Sequence, residues 1–592
     1  MLAGPNSFQS DLFATEHPVL KRRDFLTSGA AFAGTTIIAA PFPVMVPHSP
    51  IHDWLGADEW DALSRAVAGR LAPVIMPDLT DPVVTKLMEN PFYVSDQPGL
   101  TQSSGWLDAW RSAPSKYFMK AESAADVAAA VRFAQSHGVR LVVRGGGHSY
   151  FGASSAPDSL MIWMRPMNQV HLHDAFVPAG STNPPVHAVS LGAGCLWMDA
   201  YKAVTVEGGR YVQGGGCTTV GVAGLVQGGG FGSFSKGFGT VASGLLEAEI
   251  VTADGVVRIV NAVRHPDLFW AIKGGGGGTF GVVTRVTLKT HDLPELFGGA
   301  KVGIYAESDA AYRRLLAQFV AHYQARLCNP HWGEQARATR SNTLEIDMLF
   351  QGLTSDEANA AWRPFIDFVR ANPDDYEETD PLRVTPVPAR HYWDADWLAA
   401  NLPTDTISRD TRLAASPGAF WWHGDGEQVG AYWLGYQSIW LPASLLEAGN
   451  QDGLAEAWFA ASRHWSVAFH FNKGLAGAQA EAINASRDTA TNPQVLSAFA
   501  LAITASAADP AYPGQPLPAK KDARERADAI ASAISELRKI ALDAGTYVNE
   551  CDFHQENWRQ AFWGSNVARL EAIKRRYDDQ HLFTVHHGIG SH

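Results

Sequence analysis

The chain has 592 residues, 46% of them hydrophobic and 18% charged; it reads as globular and is long enough to bury two or three cores. A formal net charge of −13 excludes a general nucleic-acid binder, which needs an excess of Lys and Arg to neutralise phosphates, and points to small-molecule partners. Four cysteines, Cys195, Cys217, Cys328 and Cys551, are too few for a disulfide scaffold at this size.

In chain order, "KRRDFLTSGAAFAGTTIIAA" comes first. It pairs Arg22 with Arg23, continues through Phe25 and Leu26, and runs weakly apolar to Ala40, an order similar to a twin-arginine export signal. The run is too short, and too rich in Gly, Ser and Thr, for a stable membrane span. Residues 1–45 are therefore read as signal and linker, and the expected location is periplasmic or secreted. Pro41 after Ala39 and Ala40 leaves both a cleaved and a retained leader open. Residues 55–115 are Pro-punctuated and show no readable chemistry.

From Ser123 the pattern sharpens. "SAADVAAAVRFAQSHG" spaces Val127, Val131 and Phe133 at near-helical intervals and stops at Gly138, which predicts a helix with a glycine C-cap. "VRLVV" and "LMIWM" predict short buried strands on either side of "RGGGHSYFGASS", Arg144 to Ser155. Glycines let a backbone approach a ligand closely, and its N–H groups attract anionic groups, so this stretch reads as a phosphate cradle with His148 at its rim. Further glycine turns at Gly214 to Gly216, Gly228 to Gly232 and Gly274 to Gly278 lie between strand-like segments such as "LEAEIVTADGVVRIV". None is a P-loop and none opens a clear Rossmann unit, so the nucleotide is held by another scheme.

Residues 295–530 have fewer glycines and many tryptophans. "QVGAYWLGYQSIWLP" and "HWSVAFHFNKG" predict strands of one sheet. In the second, Ser466, Ala468, His470 and Asn472 share one face, and Trp465, Val467, Phe469 and Phe471 the other. Residues 519–543 predict a charged amphipathic helix, and the chain closes through "YVNECDFHQENWRQAFWGSN". The histidine pairs His171/His173 and His586/His587 have no third ligand at a recognisable spacing; they are read as solvated, and no metal site is expected.

"YVQGGGCTTVGVAGLVQGGGFG" presents Cys217 directly after a second glycine triplet. Together with "DLFWAIKGGGGGTFGVVT", "YVNE" and "LEAIKRRYDDQHLF", these motifs resemble the vanillyl-alcohol-oxidase type of flavoprotein, within it the berberine-bridge-enzyme-like oxidases, over roughly residues 75–295 and 535–592. The resemblance implies an α+β fold. A two-subdomain PCMH-type FAD-binding domain would span residues 46–295, with its core at about 113–293. A substrate-binding domain with an antiparallel sheet covered by helices would span 296–534, and a C-terminal segment, 535–592, would return to the FAD domain.

It also implies FAD held covalently through His148, to the C8-methyl group, and Cys217, to ring carbon 6. The other cofactor-binding residues it implies are Arg144, Gly145, Gly146, Gly147, Ser149, Gly152, Ser154, Thr219, Val220, Gly221, Gly224, Gly229, Gly230, Gly232 and Asn549. Catalysis needs a base that takes the substrate proton as hydride leaves. Tyr547 matches the family tyrosine assigned that role, and Lys473 and His470 are the candidates to lower its pKa. The expected activity is an FAD-dependent oxidoreductase taking hydride from a CH–OH donor, an alcohol or a carbohydrate, with molecular oxygen as acceptor and hydrogen peroxide as product. Val220 matches a position where a small side chain goes with oxygen access. A dehydrogenase with another acceptor and a secondary-metabolite oxidase remain alternatives. Trp393, Trp397, Trp421, Trp422 and Trp433 are candidate sugar-stacking rings. The chain departs from the better-known members at Glu550, where Tyr is commoner, and in "FHFNKGLAG".

Overall fold

The computed structural model describes residues 55–591, so the twin-arginine segment lies outside the described residues. Strand Tyr117–Lys120, helix Ala124–His137 and strand Arg140–Arg144 form a β–α–β unit, and Ser159–Trp163 lies between the two strands, parallel to both. The helix starts in a reciprocal cap: Ser123 Oγ accepts from the Asp126 amide, and the Asp126 carboxylate accepts from the Ser123 amide at 3.0 Å. It stops at Gly138, φ +64°, a conformation that costs a residue without Cβ least. Its fully buried stripe of Val127, Ala130, Val131 and Ala134 presses the unit into the first core. Strand Arg140–Arg144 thereby delivers the chain to the glycine turn with fixed direction.

A second, antiparallel sheet orders Val257–Asn261, Leu245–Val251, Val282–Lys289, Val186–Gly192 and Val170–Phe176 side by side. The hairpin from Leu245 to Asn261 is the predicted "LEAEIVTADGVVRIV".

The third sheet is the roof of the site. Its order is Tyr376–Pro388, Leu296–Ala306, Thr343–Gln351, Trp332–Ala338, Val467–His470, Ala498–Ala508, Ala431–Pro442, Ser103–Trp106 and Trp110–Arg111. The two predicted strands share this sheet but are separated by Ala498–Ala508. Helices Asp309–His322, Gln451–His464 and Lys520–Arg538 cover one face, burying Leu315, Phe319, Trp458, Ile534, the strand residues Val467 and Phe469, and Phe471 just past them, in one cluster. The opposite face carries His470 and, just past the strand, Asn472 and Lys473 into a cleft. Strict alternation fails at Lys473 because the chain turns there, the Lys473 amide donating to His470 O at 3.2 Å. It fails again at Glu334, φ +65°, so Glu334 and Gln335 both face the cleft. Among the described residues no helix is long and apolar enough to cross a membrane.

Candidate active site

The cleft encloses about 980 Å³ between the glycine turns of the floor and the polar face of the roof. Two turns form its centre, and they touch. A methyl group on Gly146 would lie 2.6 Å from Thr219 O and 2.9 Å from the Gly221 amide, so only glycine lets the backbones meet. His148 Nε2 sits 3.1 Å from Thr219 Oγ1, which ties the histidine of one turn to the chain that carries Cys217. Burial, reinforced by the Arg144 charge, pushes the His148 imidazole down to about 4, so near neutrality it is uncharged and carries a nitrogen lone pair. Cys217 Sγ donates to Asp425 Oδ1 at 3.4 Å, and burial followed by the Asp425 charge raises the thiol far above its ordinary range.

Not every residue assigned from the sequence faces the cleft. Gly145, Gly146, Gly147, His148, Ser149, Gly152, Ser154, Cys217, Thr219, Val220, Gly221, Gly224 and Asn549 line it, as do Tyr547, Lys473 and His470. Arg144 does not. Its fully buried guanidinium turns back to donate to Val94 O and Gln97 O at 2.8 Å and to Pro98 O at 3.0 Å, carbonyls in the helix Pro91–Ser95 and just beyond it. Its work is to anchor the turn, because five donors in a buried site need carbonyl partners. Gly229, Gly230 and Gly232 are packing positions as well. Added methyl groups there would meet Thr491 at 2.4 Å, Leu225 and Val241 at 2.8 Å, and Gly214 O at 1.9 Å.

The polar roof also corrects the pairing read from the sequence. Tyr547 Oη accepts from the Gly230 amide at 3.2 Å and from Asn549 Nδ2 at 3.0 Å, whereas Lys473 Nζ is engaged by the Glu550 carboxylate. Burial and the Glu550 charge outweigh those two donors and raise the Tyr547 phenol above its ordinary value. Burial, with Lys473 beside it, holds His470 well below the usual histidine range, so it supplies no positive charge. Glu334, whose carboxylate accepts from Asn472 Nδ2 at 3.2 Å, is raised by burial.

His586 and His587 are half-buried rather than freely solvated. Phe553, His586, His587 and Trp558 stack in a column on the cleft wall, the first two rings 3.7 Å and the histidines 3.8 Å between centroids, and burial lowers His586 to about 4 and His587 to about 3. Of the candidate stacking tryptophans only Trp433 lines the cleft. Trp393, Trp421 and Trp422 belong to the first core, and Trp397 stacks on His391.

Sequence reading missed Asp425, Glu334, Gln335 and the Trp110 indole that closes on Gly152. None carries a motif: the register of the roof brings in Glu334, Gln335 and Trp110, and the turn His423–Gln428 brings in Asp425. Tyr150, next but one to His148, packs 4.6 Å from Trp433 and 5.3 Å from Tyr436. The donor set fits a flavin dinucleotide. The cleft is large enough, Gly224 and Gly277 have no protein atom within 4 Å of an added methyl, and an uncharged imidazole and a thiol both reach the wall.

Residues 115–261 match the family model for an FAD binding domain, and residues 546–590 the model described as berberine and berberine like. An FAD-linked oxidoreductase of Penicillium thymicola is 31% identical over 80% of this chain and 76% of its own length. A VAO-type flavoprotein from Myceliophthora thermophila superposes with a TM-score of 0.72 at 24% identity, covering 92% of this chain and 97% of its own. Glucooligosaccharide oxidase from Acremonium strictum, described with a 6-S-cysteinyl, 8α-N1-histidyl FAD, superposes with a TM-score of 0.64 at 18% identity, covering 89% and 98%.

Proposed function

Since the chain belongs to the FAD-linked oxidoreductases of the vanillyl-alcohol-oxidase and berberine-bridge-like family, we propose that it is an exported oxidase. Its substrate is a CH–OH donor, an alcohol or a carbohydrate; its flavin is tethered through both His148 and Cys217; and its electrons pass to molecular oxygen, yielding hydrogen peroxide. The observation that carries this reading is that both side chains, each presented by its own glycine turn, line one cleft opposite the Lys473–Glu550 pair. The doubly linked FAD of the glucooligosaccharide oxidase supports the tethers. Val220 on the cleft wall supports oxygen access, and the N-terminal twin-arginine-like order supports export.

Bound FAD supplies the hydride acceptor. The protein's part is to hold the donor carbon and to take the hydroxyl proton. Glu550 is better fitted to that proton than Tyr547: Lys473 holds its carboxylate at the cleft wall, whereas the Tyr547 phenol is raised by burial. Tyr547, fixed by Asn549 and the Gly230 amide, is a rigid polar wall that orients the donor. Tyr150, packed on the buried Trp433, offers its ring to a carbohydrate. A dehydrogenase using another acceptor differs only in the fate of the electrons, and slow reoxidation of reduced protein in air would identify it.

The test is to denature wild type, His148→Ala, Cys217→Ala and the double variant in acid and read flavin fluorescence in the gel band. Peroxide release is then measured across a panel of alcohols and oligosaccharides. Flavin lost only from the double variant supports the tethers, and flavin lost from the wild type refutes them.

A further inference from the structure

The thiol of Cys217 is poorly placed to react unaided. It is half-buried, and its hydrogen-bond partner is a carboxylate, which disfavours a thiolate while offering a proton acceptor in contact with it. Asp425 is itself 6% exposed and sits on the short turn His423–Gln428, which follows the buried strand Phe420–Trp422. That turn lines the cleft, so the cysteine comes from one turn and the acceptor from another, far away in sequence. A structural thiol needs no such partner; Cys195 and Cys551 satisfy themselves on the backbone carbonyls of Gln169 and Val548. Lys473, whose charge also acts on the thiol, favours its ionised form.

We propose that Asp425 is the general base for the protein's own flavin attachment at Cys217. This rests on the double-tether reading above. The Sγ–H bond breaks and its proton passes to Asp425 Oδ1, while the sulfur lone pair forms the bond to ring carbon 6. The proton on that carbon leaves, and the two electrons released pass with two protons to dioxygen. One thiol, one FAD and one dioxygen thus give one thioether-linked FAD and one hydrogen peroxide. Once the thioether has formed, the sulfur no longer donates to Asp425.

The test uses full-length His148→Ala, in which Cys217 is the sole tether, alone and combined with Asp425→Asn, Asp425→Ser or Asp425→Glu. Each protein is purified, incubated in air with FAD, and precipitated in acid at intervals. Flavin absorbance in the washed pellet then gives the attachment rate without any substrate turnover. Asp425→Asn and Asp425→Ser are expected to slow attachment by about 10²-fold. Their rates should climb roughly tenfold per pH unit as hydroxide replaces the missing base, and Asp425→Glu should recover most of the rate. Attachment by the asparagine and serine variants as fast as by His148→Ala alone overturns the role of Asp425 and leaves the tethers standing. No covalent flavin in His148→Ala itself overturns the double-tether reading instead. If all three Asp425 variants fail even to retain flavin through gel filtration, Asp425 is a binding residue, and the proposal falls.

Discussion

Gly146→Ala tests the contact on which the whole site is built. The added methyl would stand 2.6 Å from Thr219 O and 2.9 Å from the Gly221 amide, with Leu196 Cδ2 at 3.2 Å. The first distance is roughly 0.8 Å short of ordinary contact, and the two nearest atoms are backbone, so no rotamer change relieves the clash. The turns must separate, at about 1–3 kcal/mol. Thr219 then moves away from His148, and a shift of roughly 1 Å in a reacting pair is enough to cost about 10²-fold in rate. The assay is the thermal midpoint of the purified protein together with covalent flavin in the acid-denatured band; both should fall. The matched control is Gly453→Ala, an exposed position of helix Gln451–His464 with no atom within 4 Å of the added methyl, which should gain about 0.5–1 kcal/mol. A Gly146→Ala protein as stable as wild type, with undiminished covalent flavin, would refute the abutting turns.

Three further outcomes are expected. Glu550→Gln should slow anaerobic flavin bleaching by an alcohol or carbohydrate substrate by about 10²–10⁴-fold while Tyr547→Phe stays within about tenfold; the reverse order would return the base to Tyr547. Lys574→Ala should cost about 3–5 kcal/mol, read as a lowered thermal midpoint, because it leaves the fully buried Asp578 carboxylate without the ammonium that also binds Thr279 O and Phe583 O. His586, lowered by burial to about 4, binds fewer protons folded than unfolded, so stability is lost as pH falls from about 6.5 towards 4, by of the order of 3 kcal/mol at the lower limit. Thermal midpoints at pH 7 and 4.5 should therefore draw closer in His586→Gln, and an unchanged gap would count against the buried imidazole.

The local elements near the floor were legible because their signals are local. Ser123 and Gly138 bound a helix through their own backbone chemistry, and "VRLVV" has one reading beside a glycine turn. His148 and Cys217 stood out for the same reason, each adjacent to glycines. The partners of the site were not legible. Lys473 and Glu550 lie far apart in sequence, and nothing in "NKG" or "YVNE" says that they form a pair. Asp425, on a turn 208 residues further along, meets Cys217 only in the folded chain. Arg144 enters the cofactor set through the resemblance alone, while its hydrogen-bond partners lie in residues 94–98, a stretch without a motif. The His586/His587 pair misled in the opposite sense, since stacking between Phe553 and Trp558 is invisible to spacing rules.

Near one edge of the roof sheet lies a strand from the other end of the chain: Ser103–Trp106 runs parallel to Ala431–Pro442. Lys236, fully buried, reaches from the floor to bind the carbonyls of Gly474, Ala476 and Phe499 on the roof side, and Gly333 presses on Ser233 closely enough that a methyl would stand 1.8 Å from its carbonyl. Floor and roof are thus riveted along more than one seam. So fastened, floor and roof resist separation, and selection among donors becomes a matter of which molecules pass the entrance as well as of which ones the interior can oxidise.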